Sequence, residues 1–428
     1  MSDPDPTGAS ASGASASAAP QEGVADVRGP LRLLGDRTFG LFFVGRLTAG
    51  IGVWVHSVVA AMLAYELTGS TLVVGLVGAA QFLPQLLLAP WTGARADRGK
   101  RTQQIIVGWW LSAAGSGGMA LVIFVLGADG VPGGAPLVAA SLLAGLGFVL
   151  SGPAMQAAVP SMVSVDELPA AMTLNSVPLT VARAGGPLIG AFVATTAGPG
   201  VAFAVAAGCC AAFAVVVQVI HMPSQEDISG GEASSVLAAL RAVRRDKPLM
   251  LILLGVTAVG FAGDPAITLA PSLSESLTSG PGLVGAIAGT FGAGTGAGFA
   301  VLALLGPASR SSWVSTAGLL CLAGGLATAG SLPAIWSVLT GFAIAGLGTS
   351  VALTSLTTQL QERVPESLRG RVMALWIMGH IGSRPVAGAA NGFVADHVSV
   401  SAALFLTAGA VGCIALLCRL STTQGDLP

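Results

Sequence analysis

Arg183, Arg384 and Asp264 each stand deep inside a long apolar run, where a charged side chain has no water to meet. Their types suit two kinds of chemistry. Guanidinium groups hold anions, and a carboxyl group can take a proton from one side of a barrier and release it to the other. Charges in a bilayer interior cost about 2.5–3.5 kcal/mol even on insertion scales, so they face a cavity or a partner. Arg183 falls about thirteen residues into its run, or roughly 20 Å of helical rise, near the middle of a bilayer. Ser176, Thr180, Arg183, Pro187 and Gly190 recur at three- and four-residue steps and share one stripe. Arg384 has a similar depth in its own run, on a stripe with His380, Gly388 and Asn391. Thr354, Thr357, Thr358 and Gln361 make another polar stripe, and Gln81 with Gln85 a further one. These faces are too polar for lipid. The pattern predicts a central aqueous cavity walled by Arg183, Arg384, His380, Asn391, Gln81, Gln85, Thr354 and Thr358, its arginines attracting an anionic or catecholate-like substrate. The competing reading is that either arginine is consumed by a structural pair or by backbone carbonyls.

Asp264 is the one carboxylate deep in a helical run, flanked by Gly263 and Pro265. Those neighbours loosen a helix, as in the broken helices of transporters, so Asp264 is the first candidate for proton coupling. The alternative is a helix-end carboxylate near the surface, paired to a neighbour. His56 and His380 are further candidates, since histidine titrates near neutrality, although a buried histidine often serves only as a hydrogen-bonder. Arg46, a turn or two inside the first run, is expected to snorkel or to pair with the loop containing Asp97. The small-residue run from Gly289 to Gly298 lacks the Lys and hydroxyl residue of a phosphate loop and reads as close helix packing.

The elements that position these residues follow from composition. Of the chain's residues 53% are hydrophobic and 9% charged, with a mean hydropathy of +0.80. A soluble domain carries about 25% charged residues, so this is an all-α polytopic membrane protein. Twelve apolar segments fit as helices at about 39–66, 72–92, 105–127, 135–160, 170–197, 199–221, 249–272, 281–306, 313–331, 333–361, 370–395 and 399–419. The expected organisation is a disordered tail over 1–30, a six-helix bundle over 31–221, a connector over 222–248, a second six-helix bundle over 249–420 and a short tail over 421–428. The first 27 residues lack the basic and apolar regions of a signal peptide. The five cysteines lie in apolar runs without ligand spacing, so neither disulfides nor a metal site nor a cofactor is implied.

Between the second and third segments runs Gly93-Ala94-Arg95-Ala96-Asp97-Arg98-Gly99-Lys100-Arg101, the densest charge cluster of the chain. Its four cations mark a cytoplasmic loop. Apart from Arg46, Arg183 and Arg384, the remaining cations fall on alternate, same-side loops, whereas the opposite loops carry Glu66, Asp129, Glu275 and Asp396 and no Lys or Arg. Both termini are therefore expected in the cytoplasm, with the protein in the cell membrane. Cations sorted by loop leave no basic face for nucleic acid. A repeat with a period near 200 residues aligns Asp166 through Gly190 with Glu366 through Gly388, pairing the fifth helix of each half. Two parallel six-helix repeats are a plan for transporters that rock about a central site.

The stretch Gly93-x-x-x-Asp97-Arg98-x-x-Arg101 resembles the signature loop of the major facilitator superfamily. Tyr65-Glu66-Leu67-Thr68-Gly69-Ser70 and Gln81-Phe82-Leu83-Pro84 resemble its branch of enterobactin-type siderophore exporters and macrolide effluxers. The resemblance implies a gating latch formed by Gly93, Asp97, Arg98 and Arg101, in which the carboxylate pairs with cations and a helix N-terminus across the two halves. The alternative is that these cations only set topology and bind anionic lipid. Gly186-Pro187-x-x-Gly190 is similar to the end of the antiporter-type motif, with Ala182 where that motif has Gly. The second-half loop Gly306-Pro307-Ala308-Ser309-Arg310 keeps one Arg and lacks the Asp. The resemblance also implies a monomer.

These readings lead to a secondary transporter that exports a small organic molecule, a siderophore or lipophilic drug, in exchange for protons. Uptake of a small solute is the runner-up. A membrane enzyme fits poorly, because there is no Ser-His-Asp grouping, no His-rich metal set and no long catalytic loop. A non-transporting membrane protein is disfavoured by the buried charges.

Overall fold

Every apolar run must satisfy its own backbone hydrogen bonds in lipid, and a helix is the local solution. The computed structural model describes residues 30–96, 101–220, 243, 246–277, 280, 282–364 and 366–422. The expected tails, most of the connector and the Asp97–Arg98 pair of the loop lie outside the described residues. All regular structure among the described residues is helical. A short α1 (Pro30–Leu34) leads into α2 (Arg37–Thr68), α3 (Thr71–Ala96), α4 (Arg101–Leu126), α5 (Ala135–Ala158), α6 (Leu168–Ala197) and α7 (Pro199–Val219). The second half contains α8 (Lys247–Ala262), α9 (Pro265–Thr268), α10 (Ala270–Ser276), α11 (Gly282–Leu305), α12 (Ser312–Ser331), α13 (Ile335–Arg363), α14 (Glu366–His380), α15 (Arg384–His397) and α16 (Val400–Thr422).

Punctuation of the helices follows local chemistry. Asp36 accepts from the amides of Thr38 and Phe39, both at 2.9 Å, and so starts α2. Gly69, at φ 61°, ends α2 in the left-handed conformation that suits glycine. Eleven described helices are long and apolar enough to cross a membrane. The eleventh crossing is divided into α14 and α15 by a turn at Ile381–Ser383, before Pro385, whose missing N–H cannot extend the ladder. The seventh is divided too, where α8 stops at Gly263 and α9 begins at Pro265.

Packing shows the repeat directly. In the first half α2 packs on α6 and α7, α5 on α3 and α4, and α4 on α7. In the second half the corresponding helices make the same pairs: α8 with α14 and α16, α13 with α11 and α12, and α12 with α16. The protein is thus twelve membrane helices in two six-helix bundles of one plan. The bundles meet through two equivalent pairs, α3 with α15 and α6 with α11. Glycine makes these contacts close. A β-carbon at Gly75 would lie 2.1 Å from the carbonyl oxygen of Gly388, and one at Gly292 2.6 Å from that of Arg183. The run from Gly289 to Gly298 touches α6 on one side and α13 on the other, as helix packing requires.

One end of the bundle carries Arg101, Arg310 and Arg363 and is called the basic end here; the other carries Glu66, Asp129, Glu275 and Asp396 and is the acidic end. The close contacts between Gly75 and Gly388 and between Gly392 and Thr71 lie toward the acidic end.

Candidate functional site

Breaks in α8–α9 and α14–α15 bring polar side chains to the middle of the molecule. Past the end of α8 the amide of Asp264 bonds to Phe261, and its carbonyl accepts from Ile267 and Thr268 at 2.9 and 3.2 Å, so the turn holds Asp264 between two helical pieces. Arg384 opens α15 directly after the other break. Both residues line one small cavity with Trp54, Ser57, Gln81, Phe82 and Thr268, drawing its wall from both halves. The cavity is about 20 Å³, room for roughly one water. The expected aqueous chamber is therefore closed down around its polar groups in this conformation. A substrate can enter only when the helices part.

Arg183 lies beside this space in a smaller one, about 10 Å³, lined by Trp54, Pro187, Gly263 and Phe291. Its guanidinium stands over the rings of Trp54 and Phe291 at 5.5 and 5.2 Å, and that of Arg384 stands 5.0 Å from the ring of Phe82. A desolvated cation–π contact contributes about 2 kcal/mol, less than a charge partner would. Arg384 is only 9% exposed, and its Nε meets no hydrogen-bond partner. The nearby Nδ1 of His380 also lacks one, while its ring packs on Trp376 at 5.2 Å. The centre thus gathers two guanidinium groups and one carboxylate, a net positive charge.

Asp264 is oriented from the second half. Asn391 donates to its Oδ2 at 3.4 Å, and Thr407 on α16 donates to the Asn391 Oδ1 at 2.8 Å, which fixes the amide so that its NH₂ faces the carboxylate. On the first-half wall Ser57 donates to Gln81 at 2.8 Å. Gln85 is buried on α3 and does not line the cavity. Thr354 and Thr358 do not line it either; the Thr358 hydroxyl bonds back to the Thr354 carbonyl at 3.0 Å. Gly186 and Gly190 press α6 onto Trp54, Val55 and Val58 of α2, so this motif brings Arg183 against the Trp54 ring.

Other residues find partners elsewhere. His56 bonds through its two ring nitrogens to the hydroxyls of Ser116 and Ser141, at 2.9 and 3.1 Å, inside the first bundle. Arg46 pairs with Asn175, which in turn donates to Gln156 at 2.8 Å; Asp97, its other expected partner, lies outside the described residues. Arg101 donates to the Ala157 carbonyl at 3.3 Å, joining α4 to α5 in its own half. Arg310 pairs with Glu362 at 3.5 Å, also within one half. Gly93 lies in the last turns of α3. Sequence reasoning missed the aromatic partners Trp54, Phe82 and Phe291, because an aromatic residue in an apolar helix has no distinguishing pattern. Thr407 gave no signal either, because a lone threonine in an apolar helix ordinarily bonds back to its own backbone.

The chain belongs to the transmembrane secretion effector family, whose sequence pattern matches residues 28–426, and is a transporter of the major facilitator type rather than an enzyme. Solved structures share the fold. A bacterial homologue of the human lysosomal transporter Spinster, inward-facing and occupied, superposes with a TM-score of 0.70 at 14% identity over 92% of this chain and 96% of that one. A bacterial homologue of the iron transporter ferroportin, inward-facing, gives 0.68 at 16% over 92% and 99%. The nucleoside transporter NupG gives 0.68 at 14% over 90% and 99%. No curated protein sequence matches the chain.

Proposed function

We propose that this transporter exports a small organic anion of the siderophore or lipophilic-drug class by alternating access, coupled to protons. The observation that carries the reading is the convergence of Arg183 and Arg384, one from each half, with Asp264 on adjoining small spaces at the interface. Two cations with one carboxylate leave an uncompensated charge out of water, and a substrate anion is the missing partner. The rings of Trp54, Phe82 and Phe291 suit a substrate with flat apolar or aromatic parts. Asp264 is the proton carrier, held ready by Asn391 and Thr407. Gln81 already lines the closed space, and His380, Gln85, Thr354 and Thr358 join the wall when the halves part.

The reading extends to the rest of the chain. The basic end faces the cytoplasm with both termini, and Gly93, Asp97, Arg98 and Arg101 form the latch there. Bundles over 31–221 and 249–420, joined by a connector over 222–248, work as a monomer in the cell membrane.

Proton-coupled uptake is favoured by one specific feature. Asp264 and Arg384 share one cavity, so protonating the carboxylate frees the guanidinium for an anion, and proton and anion then bind together. One experiment decides between them. Purified protein at weak buffering is titrated with a panel of siderophores and lipophilic drugs, beside Asp264→Asn. Proton release by the wild type and none by the variant supports exchange; proton uptake with the same dependence on Asp264 supports cotransport. Equal proton movement in the variant removes Asp264 from the mechanism.

A further inference from the structure

The first turn of a helix leaves amide groups without partners inside the helix, and α3 resolves this across the molecule. After the Gly69 turn, the Ser70 hydroxyl accepts from the amide of Val73 at 3.3 Å, an ordinary local cap. The two preceding amides go elsewhere. Thr71 and Leu72 donate to the two carboxylate oxygens of Asp396, at 2.8 and 3.0 Å, and Asp396 sits in the last turn of α15 in the other half. Ser70 also donates to Asp396 at 2.6 Å, so the local cap and the remote one are linked. A carboxylate at a helix N-terminus is stabilised by the macrodipole as well as by the hydrogen bonds. No Lys or Arg stands among the loops of this end to compete for it.

The contact depends on the state of the interface. Directly inward, Gly392 and Gly388 press against Thr71 and Gly75, so this end of the two halves is shut. Beside it the Tyr65 phenol donates to Glu275, a second link from the first half to the second. Between these links lies a cavity of about 390 Å³ lined by Tyr65, Thr71, Ser272, Glu275 and Asp396. Swinging the halves apart here must return the Thr71 and Leu72 amides to water. The cap therefore exists in one state and not in the other, which is what allows a contact to bias an equilibrium.

We infer that Asp396 is the latch of the acidic-end gate, closing that end by capping the first turn of α3 in the opposite half. The inference rests on the two-bundle fold and on neither the substrate nor the proton carrier. It predicts that losing the cap shifts the equilibrium toward the state open at the acidic end. Losing a capping side chain costs enough for roughly a tenfold shift. Asparagine keeps one acceptor oxygen but loses the second one and the charge, so Asp396→Asn should fall between the wild type and Asp396→Ala.

The test is a spin-label distance measurement on full-length protein in lipid nanodiscs. Labels at Glu66→Cys and Val398→Cys, in a background with the five native cysteines replaced, report the separation of the two halves at this end. Asp396→Ala should raise the population of the long distance roughly tenfold, with Asp396→Asn between it and the parent. An unchanged distance distribution in the alanine variant overturns the latch. An asparagine variant as open as the alanine one overturns capping as its cause. Monodisperse elution and a cooperative thermal melt close to that of the parent show that each variant is folded.

Discussion

Arg384 holds its charge against the face of Phe82 with its Nε unpartnered, a costly arrangement that a bound anion would relieve. Truncation separates binding from folding. Arg384→Ala should weaken the affinity for an anionic substrate by at least about 2 kcal/mol, or roughly thirtyfold in Kd, while Arg384→Lys recovers only part because it lacks the planar fork. Isothermal titration of the purified variants checks this, and unchanged affinity would remove Arg384 from the substrate site. His56 gives the opposite expectation. Its bonds to Ser116 and Ser141 fix it in the interior of one bundle, so His56→Ala should lower Tm and leave the pH dependence of transport unchanged. Each hydroxyl left unsatisfied costs about 1–3 kcal/mol. A shifted pH profile with normal stability would contradict that assignment. The sequence displayed these residues unevenly. Charges stood out because lipid excludes them, which made Arg183, Arg384 and Asp264 legible. The partner of Arg46 was not, because Asn175 and Gln156 are uncharged and lie on helices far along the chain.

At the scale of elements, glycine contacts fall into two kinds with separable consequences. Gly318 lies within the second bundle, where an added β-carbon would approach the backbone nitrogen of Ala352 to 2.5 Å. Gly75 lies between the bundles against Gly388. Gly318→Leu should therefore destabilise the fold by about 1–3 kcal/mol, read as a lower Tm. Gly75→Val should leave Tm nearly unchanged and lengthen the distance between halves at the acidic end. Reversed outcomes would contradict the division of the interface. Helix positions were legible from apolar runs, and the break at Asp264 from its Gly and Pro neighbours. The break at Ile381–Ser383 was read through, because a proline such as Pro385 is tolerated inside membrane helices and only the packing against α8, where Gly260 meets the His380 carbonyl, makes a turn of it.

For the whole molecule, the matching helix pairs of the two bundles turn a weak sequence repeat into a physical symmetry. Two equivalent interfaces, α3 with α15 and α6 with α11, frame one centre where the charges of both halves meet. The tight centre and the closed acidic end describe one station of a cycle. Rocking about these interfaces must open a larger space, since about 20 Å³ admits no organic substrate. The repeat allowed the two-bundle plan to be read from the sequence, whereas the closed state could not be, because one sequence encodes every station of the cycle. The most direct test is flux into proteoliposomes of a compound that the purified protein binds, with and without an imposed pH gradient, for the wild type and Asp264→Asn. With Asp264 as the proton carrier, the gradient should drive net flux only in the wild type, while the variant still exchanges substrate at equal pH. Gradient-driven flux that persists unchanged in the variant would contradict it.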